Sequence, residues 1–212
     1  LDKNVKFKES GVEWIGMIPE HWKKRRLKDI GYLYSGLSGK SGNDFNQEEN
    51  PYNKQFIPFT NIFNNHIINP LQLGTVVVGP SESQNNVKAN DLFFLMSSED
   101  YDGLGKTSLL DQELKETYLN SFCKGYRITK NHISPSFLNY QLNSFVYRNI
   151  LKIEGKGFTR MNLKMEKVSD LQIFFPDSIS EQNAIATFLD EKTQKIDLII
   201  TNITTQIATL KE

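Results

Sequence analysis

The sequence is poor in several features that would settle its class at once. It holds one cysteine, Cys123, in 212 residues. Neither an internal disulfide nor a cysteine-built zinc site can form from that, and a reducing, intracellular setting is favoured over secretion. It has no net charge, with 25 Lys+Arg against 25 Asp+Glu. Bulk basicity therefore cannot draw it to nucleic acid, and only a local patch could. No run comes near the roughly 20 apolar residues of a membrane span, and the opening LDKNVKFKES lacks the apolar core of a signal peptide. The three histidines, His21, His66 and His132, stand without metal-ligand spacing, so no metal site is expected.

What is present is ordinary in bulk. A 38% hydrophobic and 24% charged chain of this length can bury a core unaided. The 20 asparagines weight it toward turns and amide hydrogen bonds. Four near-motifs fail on inspection. Asn69-Pro70-Leu71-Gln72 resembles the loop that holds an exocyclic amine in amino-methyltransferases, but Gln72 cannot stack on a flipped base. Gly39-Lys40-Ser41 and Gly105-Lys106-Thr107 look like the ends of phosphate-binding loops, yet the required first glycine falls on Tyr34 or Asp100. Pro176-Asp177 followed by Asp190-Glu191-Lys192 matches a loose nuclease pattern, but the second group lies on a heptad helix, where it reads as exposed interhelical charge. No catalytic residue is assigned.

Two parts are expected, a globular segment over 1–177 and a helix over 178–212. In the helix, Leu189, Ile196, Ile203 and Leu210 recur every seven residues, and Ala186, Thr193, Ile200 and Ile207 form a second row. Together they make an a/d seam of coiled-coil type. Ser178 and Glu181 have the spacing of a capping box. The helix either packs on its own domain or carries its stripe to a second helix. The globular part predicts an α+β fold with a bent, mostly antiparallel sheet. Strands are expected at 55–63, 74–79, 90–96, 107–113, 121–129 and 170–176, a helix over 134–152, and a loop over 35–53. The stretch 27–36 mixes strand and helix signals, and Trp14 and Trp22 are expected to pack the N-terminal segment onto the domain.

The run SGVEWIGMIPEHWKKRRL at 10–27 resembles the opening of a recognition domain in specificity subunits of type I restriction–modification enzymes. Asn61-Ile62 after a strand and Asp91-Leu92-Phe93-Phe94 also fit. So does the stretch 155–197, with Ser180-Glu181-Gln182 and Ile185-Ala186-x-x-Leu189-Asp190 as its most specific pieces. The departure is Pro176-Asp177-Ser178-Ile179, where the family has consecutive prolines and a leucine. The resemblance implies a non-catalytic, DNA-reading role in the cytoplasm of a bacterium or archaeon. Double-stranded DNA, modification subunits and a motor–nuclease subunit would be its partners, and S-adenosylmethionine, ATP and Mg²⁺ would belong to those subunits. It further implies one target recognition domain plus one spacer helix, which directs methylation and cleavage to one half of a bipartite site. The chain would be a fragment of a two-domain subunit or a half that pairs with itself. A module that works mainly in protein assembly through its heptad helix is the rival reading.

A neutral chain that reads DNA must gather its cations locally. Lys23, Lys24, Arg25, Arg26 and Lys28 form one run, which reads equally as a DNA contact or as a solvated face or partner-subunit contact. The loop Gly155-Lys156-Gly157-Phe158-Thr159-Arg160 is the better candidate, since its glycines let backbone approach phosphate while Lys156 and Arg160 neutralise charge. Candidate DNA contacts are Lys40, Ser41, Asn61, Asn64, Lys106, Thr107, Lys124, Arg127, Lys156, Thr159 and Arg160. Candidate helix-pairing residues are Leu189, Ile196, Ile200, Ile203, Ile207 and Leu210.

Overall fold

A computed structural model describes residues 5–211; residues 1–4 of the expected globular segment and residue 212 of the expected helix lie outside the described residues. In chain order the elements are β1 (Phe7–Glu9), β2 (Met17–Pro19), β3 (Lys23–Arg26), α1 (Leu27–Ile30), β4 (Gly31–Ser35), β5 (Asn53–Ile57), α2 (Phe59–Asn64), β6 (Gly74–Val77) and β7 (Leu92–Leu95). They continue with β8 (Ser97–Ser98), β9 (Thr107–Leu109), β10 (Thr117–Leu119), β11 (Cys123–Ile128), α3 (Pro135–Asn143), α4 (Phe145–Glu154), β12 (Met161–Asn162), α5 (Met165–Ser169), β13 (Gln172–Phe175) and α6 (Ile179–Lys211). No described helix is long and apolar enough to cross a membrane.

The fold is α+β, and its sheet is divided. A four-stranded antiparallel sheet, ordered β4-β11-β7-β9, forms the centre. A three-stranded sheet, β10-β5-β6, pairs β10 with β5 in parallel. Three two-stranded pairs complete it, β1-β2, β12-β8 and β13-β3, all antiparallel. The inner strand β7 explains why the centre holds. All four residues of Leu92-Phe93-Phe94-Leu95 are buried. Alternation sends Leu92 and Phe94 into a core shared with α1, α3, α4 and α5, and Phe93 and Leu95 into a second core under α2. On β11 the chain uses Gly125 because the ring of its cross-strand neighbour Tyr34 lies over it, 2.0 Å from where a Cβ would stand.

Three expectations need correction. The stretch 55–63 is not one strand: Pro58 ends β5 and becomes the N-cap of α2, because proline cannot donate to a ladder but suits a helix start. The helix expected over 134–152 is two, α3 and α4, broken at Ser144, whose ψ of 153° is extended. Trp22 packs edge-on against Phe137 at 5.7 Å as expected, whereas Trp14 is exposed.

The helix α6 starts one residue after Ser178 and its first turns are docked by polar contacts. Half of the expected capping box forms, with Glu181 N donating to Ser178 Oγ at 3.3 Å. The Glu181 carboxylate turns instead to His21 Nε2 at 2.9 Å and Trp22 Nε1 at 3.4 Å. Gln182 is wholly buried. Its Oε1 accepts from Ser134 N at 2.8 Å, and its Nε2 donates to the carbonyls of His132 and Pro176, each at 2.8 Å. The last side-chain ties to the domain are Tyr140 Oη to Asp190 at 2.6 Å and to Thr193 Oγ1 at 3.2 Å. From Glu191 to Leu210 every residue is exposed.

Candidate nucleic-acid interface

The sequence-predicted DNA contacts fall into three groups. Lys156 and Thr159 are exposed, as is Phe158, and Arg160 is half-exposed. They sit on a tight hairpin closed by Lys156 N to Asn162 O at 3.0 Å and Asn162 N to Lys156 O at 2.8 Å. The hairpin needs Gly157, which takes φ 144° and would drive a Cβ to 2.0 Å from the Arg160 carbonyl oxygen. Its base is tied down by the pairing of β12 with β8 and by Leu163 N to Met96 O at 2.8 Å. Thus a flexible-looking Gly-Lys-Gly sequence becomes a fixed protrusion, and its ring, Phe158, touches solvent on all sides.

At the foot of that hairpin lies a depression of about 390 Å³ lined by Phe59, Phe63, Phe122, Glu99, Asn120 and Arg160. Arg160 is held there by two contacts. Its Nη2 meets Glu99 at 2.6 Å and its guanidinium lies 4.7 Å from the Phe122 ring centre. Lys106 donates to the carbonyl of Phe63, one of the lining residues, and its Nζ lies 5.0 Å from the Phe63 ring centre. Burial, with Arg148 nearby, lowers the Lys106 pKa. Asn64 follows Phe63 and is exposed. The loop between β8 and β9 brings acids as well: Lys152 binds Asp102 at 2.6 Å and holds its carboxyl below the usual range. Two cations of this face, Lys152 and Arg160, are matched by neighbouring carboxylates. Lys156 has no ion-pair partner among the described residues.

A second group lies beside β4, Lys40 and Ser41 on the loop after it and Lys124 on the paired strand β11. Lys40 is covered and bound to Glu82 at 2.6 Å, an interaction that lowers Glu82 to about 2. Ser41 is engaged in its own turn, with backbone N and Oγ both donating to Asp44, at 2.7 and 3.0 Å. Lys124 Nζ donates to Ser35 Oγ at 3.0 Å.

In the third group Asn61 and Thr107 are buried, which corrects their expectation as base contacts, and Arg127 is part-exposed and paired inside the protein. Asn61 is 1% exposed. Its Nδ2 donates to the carbonyls of Asn69 and Gln72, at 2.8 and 3.0 Å, and its Oδ1 accepts from Asn69 N at 3.0 Å. It closes the loop containing Asn69-Pro70-Leu71-Gln72, which leaves that loop a structural turn. Thr107 is fully buried, with Oγ1 donating to Asn139 Oδ1 at 2.8 Å and Asn143 Nδ2 donating back to it at 2.8 Å. Arg127 is committed to Asp91, Nε to Oδ1 at 2.9 Å and Nη2 to Oδ2 at 2.6 Å, with its guanidinium 4.9 Å from the Tyr34 ring centre.

Of the basic run, Lys23–Arg26 is β3, with every side chain exposed, and Lys28 follows on α1. Acids answer it too: Lys23 pairs with Asp177, and Lys28 meets Asp170 at 2.6 Å. Residues missed in the sequence are Phe158, Glu99 and Phe122. The apolar tip of a Gly-Lys-Gly hairpin was readable locally; Glu99 and Phe122 come to Arg160 only through long-range folding.

A family model described as the type I restriction modification DNA specificity domain matches residues 19–209. The chain is 28% identical over 205 residues to a Methanocaldococcus jannaschii protein named type I restriction enzyme MjaX specificity subunit, covering 93% of this chain and 44% of that protein. In fold it is similar to the S subunit of a type I restriction–modification system from M. genitalium, with TM-score 0.55 and 16% identity over 95% of this chain and 42% of that one. The HsdS subunit from Thermoanaerobacter tengcongensis is similar at TM-score 0.60 and 16% identity, over 91% of this chain and 41% of that one. The chain thus spans less than half the length of each of these relatives.

Proposed function

The chain belongs to the family of type I restriction modification DNA specificity domains, and from that membership we propose that it reads a short sequence in double-stranded DNA, without catalysis of its own. It would serve one half of a bipartite site within a larger complex. Modification and motor–nuclease subunits would be its partners there and would carry S-adenosylmethionine, ATP and Mg²⁺. The observation that carries this reading is the fixed hairpin that puts Lys156, Phe158 and Thr159 into solvent beside a guanidinium held by Glu99 and Phe122. A protrusion of that shape fits a groove, a free lysine suits phosphate, and an oriented arginine suits a guanine edge.

Selection of duplexes from a randomised library by the intact chain tests it. One short motif should be enriched, with affinity falling as salt rises. Lys156→Ala should weaken binding to all sequences alike and lower the salt slope by about 1. Recovery of random sequence would refute the reading.

A second reading, assembly through α6, is favoured by a different observation: Ile196, Ile200, Ile203, Ile207 and Leu210 are all about half-exposed or more. A second copy of the chain or a second recognition domain would cover that stripe. Sedimentation of the chain beside its Ile200→Asp/Ile203→Asp variant decides self-pairing. A dimer lost in the variant supports it, and a monomer at high concentration in the unmodified chain removes it.

A further inference from the structure

We propose that Phe158 is the wedge of this interface, its ring entering between two adjacent base pairs where the hairpin meets the duplex. The inference rests on the DNA-recognition reading above and adds a residue and a mode of contact to it. Phe158 is the most exposed large apolar side chain of the described residues. Folding draws nothing from it, since the ring is left in water in the folded state as in the unfolded. What surrounds it is built with care. The backbone on either side is closed by the paired Lys156–Asn162 hydrogen bonds, and Asn162 Nδ2 donates to the Arg160 carbonyl at 3.1 Å, so the tip is braced from within. An aromatic on a braced tip has little conformational freedom left to lose on docking.

The flanking chemistry selects the occupant. An apolar protein pocket would suit the ring but would have to desolvate Lys156 and the exposed part of Arg160 beside it. A duplex satisfies both demands: the base stack accepts the ring, and phosphates a few ångströms away accept the cations. Apolar wedges act in this way by partly unstacking one step and kinking the helix, and the bend brings more protein surface into contact. Phe59, Phe63 and Phe122 cannot do the same, because they line the depression behind the hairpin rather than project from it.

The test uses the intact chain and the duplex it selects from the randomised library, with 2-aminopurine placed in turn at each position. The unmodified protein should raise the fluorescence at one step only. Phe158→Ala should abolish that rise and weaken binding about tenfold, the size of one lost aromatic–base contact, with an unchanged salt slope and an unchanged melting temperature. Phe158→Trp should keep the rise and show its indole emission quenched on binding. An unmodified protein that selects its motif, with Phe158→Ala equal to it in affinity and 2-aminopurine response, overturns the wedge while leaving recognition standing. Failure of the unmodified protein to select any motif overturns recognition, and the wedge with it.

Discussion

Asp91 lies almost wholly inside the protein, 1% exposed, and yet it is a carboxylate. Its oxygens accept four hydrogen bonds, from Tyr34 Oη at 2.6 Å, Lys88 N at 2.9 Å, Arg127 Nε at 2.9 Å and Arg127 Nη2 at 2.6 Å. Arg127 also donates to the Asn86 carbonyl at 3.0 Å. Asp91→Ala therefore strands a hydroxyl, an amide and a guanidinium at one place. Removing one partner of a buried ion pair costs about 3–5 kcal/mol. Arg127 keeps 23% of its side-chain surface in water and can turn partly outward, so the lower end, about 3 kcal/mol, is expected. Arg127→Met should cost a similar amount by leaving the carboxylate without its counter-charge. The double variant Asp91→Ala/Arg127→Met should cost less than the sum of the two singles by more than about 1 kcal/mol, since the groups share one network. Urea unfolding with unchanged m-values measures all three. The double variant, if folded, should still bind the selected duplex with the same base preference. A cost below about 1 kcal/mol for Asp91→Ala, or a double variant that changes preference at one base pair, would mean that Arg127 is a reader and that its pairing with Asp91 is incidental.

Gln182→Leu should cost about 3 kcal/mol in the same unfolding assay, because three buried backbone groups, Ser134 N and the His132 and Pro176 carbonyls, lose their partner together. Gln182→Glu should not rescue it, since a carboxylate cannot donate to the two carbonyls. His66 supplies a pH prediction. Burial lowers its pKa below the ordinary 6.5, Lys106 adds to that effect, and Asp190 opposes it. A histidine held neutral in the fold takes up protons more readily when unfolded, so its contribution is complete above the unfolded pKa and is lost as pH falls below 6.5 toward the folded value. Thermal melts should show this loss between about pH 7 and pH 5, and His66→Gln should flatten it. An equal slope in both proteins would mean that other groups carry the loss.

Legibility in the sequence tracked locality. Strands with apolar alternation or a short apolar run, such as Leu92–Leu95 and Gln172–Phe175, were read close to where they form. The seven-residue period marked α6 because every signal for it lies within one segment. Lys23–Arg26 was read as a charge run and not as a strand, since it carries no apolar residue and is paired only by β13, far along the chain. The DNA candidates divided in the same way. Lys156 and Thr159 stay exposed because glycines and a two-bond hairpin define them locally. The burial of Asn61 and Thr107 and the pairing of Arg127 with Asp91 are not legible locally, because an amide, a hydroxyl and a guanidinium look alike in sequence whether they face a base or a buried partner. Their partners lie up to 36 positions away, at Asn69, Asn143 and Asp91.

The residues that mark the family most sharply are also the ones that fix the helix to the domain. Glu181 takes the N-terminal His21 and Trp22, and Gln182 takes the 132–134 turn and the end of β13, so three separate stretches meet on the first turn of α6. Polar bonds of this kind are directional in a way that apolar packing is not; they set the angle at which the helix leaves. Beyond Thr193 the rod makes no further hydrogen bond or ion pair to the domain among the described residues, and residues 191–210 extend for about 30 Å. A free helix of that length is marginal in water. Its threonines already satisfy their hydroxyls on the helix itself, Thr201 on Asp197 O at 2.9 Å and Thr204 on Ile200 O at 2.8 Å, which lowers the polarity that a covering partner would have to desolvate. Under the proposed reading, then, the distance from the hairpin to a second recognition element is set by a docked helix and not by a flexible linker. Loosening that dock at Gln182 should blur the spacing between half-sites while leaving the sequence of each half unchanged.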